Sequence, residues 1–169
     1  NRRGFGDGAG TYKKYFQQDW DSKIPDNDVF DEIKRVAKSW IIFGGNYFPY
    51  LDDTGVIVWN KGNSGNFKEG ELAKTNINTF KVFYMSRADA YINQLDSKEK
   101  LHPTQKPIEL FRWCLQTYSK ESDIILDPFL GSGTTAVACK QLKRNFIGIE
   151  ISPEYCEIAR QRLAQDQLF

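Results

Sequence analysis

The chain has 169 residues, 40% of them hydrophobic and 27% charged, which suits one domain with a sizeable core and excludes wholesale disorder. With 23 Lys and Arg against 22 Asp and Glu, the net charge of +1 excludes a global basic surface, so any contact with nucleic acid needs a local patch. No apolar run is long enough for a membrane-spanning helix, no signal peptide is expected, and Cys114, Cys139 and Cys156 form no C-x-x-C pair, so the reading expects reduced thiols, no metal site, no membrane contact and a cytoplasmic setting.

In chain order, residues 1–23 show no clean period, and Gly4, Gly6, Gly8 and Gly10 predict a loop. Arg2, Arg3, Lys13 and Lys14 give that loop a positive bias, and Arg87, Lys98 and Lys100 give another further on. Asp26 or Asn27 caps a helix over 29–38, with Phe30, Ile33, Val36 and Ala37 on one face. A short strand at 41–43 stops at Gly44 and Gly45, and a second at 56–59 runs into the polar loop 60–66. Residues 79–84 alternate as an edge strand does. Residues 86–101 are polar and predict no element. Pro107 opens a helix, and a buried strand at 124–126, a helix from Thr135, a strand at 146–149 and a helix from Pro153 follow. This alternation predicts an α/β sandwich with a largely parallel sheet.

The richest stretch is the one between the strand at 124–126 and the helix from Thr135: Asp127, Pro128, Phe129, Leu130, Gly131, Ser132, Gly133 and Thr134. A strand, a glycine-rich turn and a helix surround one small ligand with backbone N–H groups and an acidic side chain. No Lys follows Gly133, so the turn is not a phosphate loop of the Walker type. Asp127 at the strand end repels a pyrophosphate and suits a ligand with a cationic amine. Glu150 ends the next apolar run, at the separation that puts a carboxylate on a ribose. S-adenosylmethionine meets these requirements, with its ammonium, sulfonium and ribose hydroxyls.

Upstream lie His102, Pro103, Thr104, Gln105, Lys106 and Pro107. This hexapeptide, the loop 127–135 and the run Gly148, Ile149, Glu150, Ile151 together resemble the amino-methylating DNA methyltransferases. The motif order is similar to that of their circularly permuted β group. The likeness is strong over 101–164 and looser before it, through 41–48 and 58–62. It implies a Rossmann-like S-adenosylmethionine-dependent methyltransferase sandwich, largely parallel, with 79–84 as its antiparallel edge strand. Residues 1–100 are then the target-side half and 101–169 the cofactor half.

The resemblance implies S-adenosylmethionine contacts from His102, Thr104, Lys106, Asp127, Pro128, Phe129, Gly131, Ser132, Gly133, Thr134, Glu150 and Ile151. It implies double-stranded DNA as partner, with Arg2, Arg3, Lys13, Lys14, Asn46 and Lys61 on that side, and with Tyr47, Phe48 and Trp59 near the base or in the core. The implied reaction is methylation of an exocyclic base amine, adenine N6 before cytosine N4. The family's Asp-Pro-Pro-Tyr motif matches nothing in the chain and is expected just upstream of Asn1, so no catalytic residue is assigned. The central strand carrying it is expected from preceding residues, a second copy or another chain. The alternative is a non-catalytic cofactor-binding subunit.

Overall fold

The computed structural model describes residues 25–51, 55–62, 69–86, 88–89 and 105–165. The first helix, α1, is Asn27–Val36, with Asp28 in its first turn and Lys34 and Arg35 in its last, which complements the helix dipole. Phe30 is buried with Trp40 and Leu51, and its ring lies 4.7 Å from Phe48. The expected apolar face is only partly used: Val36 stays 48% exposed, and the helix ends before Ala37, whose backbone is extended.

Strand β1 is Ile41–Phe43, β2 is Gly55–Asn60, β3 is Gly70–Thr75 and β4 is Phe80–Tyr84. They form one sheet in the order β1-β3-β2-β4. β3 runs antiparallel to both β1 and β2, whereas β4 pairs parallel to β2. The antiparallel member is therefore β3, inside the sheet, and the strand expected in that role is a parallel edge strand. The sequence of β3 hid it, because Glu71 and Lys74 are residue types that strands use sparingly. The face of this sheet bearing Ile57, Trp59 and Ala73 is buried.

Helix α2, Ile108–Tyr118, begins after Pro107, whose fixed φ of −62° suits a helix start. Strand β5, Ile124–Asp127, and strand β6, Asn145–Gly148, pair in parallel as a second sheet. Between them lies α3, Thr134–Gln141, and after them α4, Pro153–Ala164, whose N-cap Ser152 Oγ accepts from the Tyr155 amide. α2 is the wall shared by the two sheets. Its Leu110 and Cys114 pack with Trp59 and Met85, and its Ile108 and Leu115 pack with Val137, Ala138 and Cys139.

Residues 124–126 were expected to be buried, but only one face of that sheet is covered. Ile125 and Phe146 point into the core, while Ile124 and Ile147 remain 64% and 53% exposed. Among the described residues no strand joins β1 to β5, so the expected single sheet is present as two. Cys114, Cys139 and Cys156 are free thiols, and burial pushes Cys114 up to about 12 and is the main force taking Cys139 up to about 11. No helix among the described residues is long and apolar enough to cross a membrane, and none of their acidic, His and Cys side chains cluster as a metal site would need.

Candidate functional site

The carboxyl ends of β5 and β6 bring Asp127 and Glu150 to one edge. Leu126 and Asp127 pair with Ile147 and Gly148, so the chain leaves both strands side by side. Asp127 is held by two donors: Thr135 Oγ1 at 2.5 Å and the Phe129 amide at 3.0 Å. Burial is the largest influence on its carboxyl and raises it above the ordinary value, against those two hydrogen bonds. The Glu150 charge adds to the rise and the Lys106 charge opposes it. A half-buried carboxylate in this state is stabilised by a cation placed next to it.

Glu150 grips two turns. Its Oε2 accepts from the Gly131 amide at 2.7 Å and its Oε1 from the Ser152 amide at 2.8 Å. Each oxygen keeps a second lone pair for a hydroxyl donor. Ile151, next in the chain, is 85% exposed, and Phe129 across the loop is 58% exposed. Uncovered apolar side chains flanking two carboxylates suit a ligand with both an apolar face and polar donors.

The loop from Pro128 to Gly133 is folded by its own hydrogen bonds. Its Leu130 amide donates to Ile149 O and its Gly133 amide to Leu130 O, while those of Phe129 and Gly131 go to the carboxylates. These amides brace the loop, and the expected cradle of N–H groups for the ligand's amino-acid end is not formed by them. Gly131 and Gly133 both have positive φ, at 54° and 86°. A Cβ on Gly133 would lie 2.8 Å from Ala159 Cβ, so this glycine serves the close approach of α4.

Ser132 and Thr134 were expected at the ligand, but both are buried against α4. There the Arg162 Nη1 donates to Ser132 O at 2.7 Å, Ser132 Oγ at 3.2 Å and Thr134 Oγ1 at 3.3 Å. Arg162 is itself 4% exposed, an unusual burial for an arginine, and sequence reasoning missed it. Its one visible signal was a cation in the last turn of a helix, which most often marks only a surface charge.

Of the other expected residues, Lys106 stands near enough to Asp127 for its charge to act there. Pro128 lines an apolar cleft of about 470 Å³ between α1 and β5, with Val29, Ile33, Val36, Leu126 and Ile149 among its walls. Asn46 is exposed in the turn Gly45–Tyr47, and Lys61 is tied to Glu71 by an ion pair of 2.6 Å. Phe48 packs on Phe30 and Tyr50, and Trp59 is buried with its indole N–H donating to Met85 O, so these two aromatics belong to the core. His102, Thr104, Arg2, Arg3, Lys13 and Lys14 lie outside the described residues.

A family profile described as DNA methylase matches residues 89–161. That stretch holds Lys106, the Asp127 loop, Glu150 and most of α4. Over it, the chain is similar to the DNA methylases. Type II methyltransferase M.HpaI of Haemophilus parainfluenzae is 46% identical over 74 residues, which cover 44% of this chain and 24% of that protein. Type II methyltransferase M2.DpnII of Streptococcus pneumoniae is 56% identical over 62 residues, 37% of this chain and 23% of that protein. The matched segments thus span about a quarter of the length of these relatives.

Among solved structures, the M1.HpyAVI–SAM complex aligns with a TM-score of 0.61 at 23% identity, covering 84% of each chain. A second structure of M1.HpyAVI aligns at 0.53 with 28% identity, over 83% of this chain and 84% of that one. The fold of the chain is accordingly the Rossmann-like sandwich of these structures, and over residues 89–161 its sequence is similar to the N6/N4 DNA methylases.

Proposed function

We propose that this chain binds S-adenosylmethionine at the Asp127–Glu150 edge and serves the methylation of an exocyclic amine in double-stranded DNA, adenine N6 before cytosine N4. The observation that carries the reading is the pair of carboxylates at the ends of two adjacent parallel strands, one of them raised by burial in want of a cation. The donor set fits the cofactor. Asp127 offers a negative charge to an ammonium, Glu150 offers free lone pairs to ribose hydroxyls, and Ile151 offers an apolar face to adenine. Lys106 adds a positive charge on the amino-acid side. When bound, the cofactor supplies an electrophilic methyl group on a sulfonium.

What these residues contribute is capture and orientation. The loop is braced by Glu150 on one side and Arg162 on the other, so the binding edge is formed before any ligand arrives. An exocyclic amine is a poor nucleophile and needs its base out of the stack, with acceptors for the amine hydrogens. The sequence holds no Asp-Pro-Pro-Tyr to provide them. The alternative reading is a cofactor-binding subunit working with an active chain.

Calorimetry on the chain tests the first reading. Asp127→Ala and Glu150→Ala should each weaken S-adenosylmethionine by about 1.5–3 kcal/mol, the worth of a hydrogen bond to a charged group. Unchanged affinity in both variants would reject the site. For the second reading, transfer of labelled methyl to mixed-sequence DNA decides. Residues 1–169 alone should give none, and adding a segment or partner that carries Asp-Pro-Pro-Tyr should give it. Transfer by the chain alone would show that it holds its own acceptors.

A further inference from the structure

Lys61, Glu71 and Lys106 come from three separate parts of the chain and meet at one point. Lys61 follows β2, Glu71 stands on the neighbouring β3, and Lys106 leads into α2. One carboxylate serves both ammonium groups: Lys61 Nζ lies 2.6 Å from Glu71 Oε1, and Lys106 Nζ lies 3.5 Å from Glu71 Oε2. Each ammonium also sits over an aromatic ring. Lys61 is 4.6 Å from the centre of the Trp59 ring and Lys106 is 5.3 Å from that of Phe43. The lysine side chains are only 14% and 21% exposed, so water screens their mutual repulsion weakly. Burial pushes the Glu71 carboxyl up, but the two lysines outweigh it and hold the group below its ordinary value.

We propose that Glu71 is a positioning residue for the cofactor site, clamping Lys106 within reach of Asp127's charge against the repulsion of Lys61. The consequence is a pair of fixed opposite charges, Asp127 and Lys106, matched to the ammonium and carboxylate of an amino-acid group. This inference rests on the S-adenosylmethionine reading and names which end of that ligand the clamp serves. Without the carboxylate of Glu71, two part-buried ammonium groups face each other, and Lys106, which precedes its helix on an irregular segment, swings away. Removing Lys61 as well takes away the reason for it to move.

The experiment measures dissociation constants of S-adenosylhomocysteine and of 5′-methylthioadenosine, which keeps the adenosine and thioether and lacks the amino-acid group. The proteins are the full chain, Glu71→Gln, Lys61→Met and the double variant, each checked for an intact thermal transition. Glu71→Gln should weaken S-adenosylhomocysteine by roughly tenfold, the size of coupling typical of neighbours in one ionic network, and leave 5′-methylthioadenosine unchanged. The double variant should recover most of the loss. The inference is overturned if Glu71→Gln binds both ligands as the parent does, if it loses both equally, or if the double variant recovers nothing. A parent chain that binds neither ligand removes the cofactor reading itself and this inference with it.

Discussion

Asp127 carries a cost to folding. Its carboxyl is raised in the folded chain, chiefly by burial. Below the ordinary carboxylate value the group is protonated in both states and costs nothing. As pH rises from there through the folded value, the unfolded chain ionises first, so stability falls and then levels off. Asp127→Asn should therefore melt higher than the parent at pH 7 and converge with it near pH 3, while losing affinity for S-adenosylmethionine at pH 7. Thermal melts across that range, with calorimetry at neutral pH, give the check; a variant that melts no higher would show that the carboxylate carries no such cost. Arg162 makes the opposite case. Its guanidinium holds Ser132 and Thr134 from beneath the loop, so Arg162→Met should destabilise by about 1.5–3 kcal/mol and loosen ligand binding as well. Denaturant unfolding that moves without any change in binding would confine Arg162 to the core.

At the scale of elements, β4 presents an uncovered face. Phe80, Val82 and Tyr84 are 75%, 52% and 66% exposed and point the same way along an edge strand. An apolar edge of this kind invites self-association. Phe80→Lys with Val82→Thr should lower the tendency to associate, measured by light scattering against concentration, with little loss of melting temperature because neither side chain is buried. The elements that strong periodic signals mark were legible from the sequence: α1, β2, the helix after Pro107, and the strand–loop–helix around Asp127. β3 was not, because its alternation is broken by Glu71 and Lys74 and its burial comes from β1 and β2, which no local window contains. The candidate site is legible in the sequence only as residue types and spacing. The internal bracing of its loop is not, since the partners of Ser132 and Gly131 lie 30 and 19 residues away.

At the scale of the whole molecule, two sheets lean on one helix. α2 buries Leu110 and Cys114 against the first sheet and Ile108 and Leu115 against the second. Its C-terminal carbonyls are tied to the second sheet's side by Arg144, which donates to Ser119 O at 3.0 Å and Leu115 O at 3.2 Å. Among the described residues no ladder of backbone hydrogen bonds crosses from one sheet to the other. The described residues therefore form a mechanical joint where a continuous sheet would have a beam. In amide hydrogen exchange such a joint produces two populations, β2 and β3 opening with one free energy and β5 and β6 with another. Ligand at the Asp127–Glu150 edge would slow the second population and leave the first at its own pace, unless something bridges the joint and makes the two open as one.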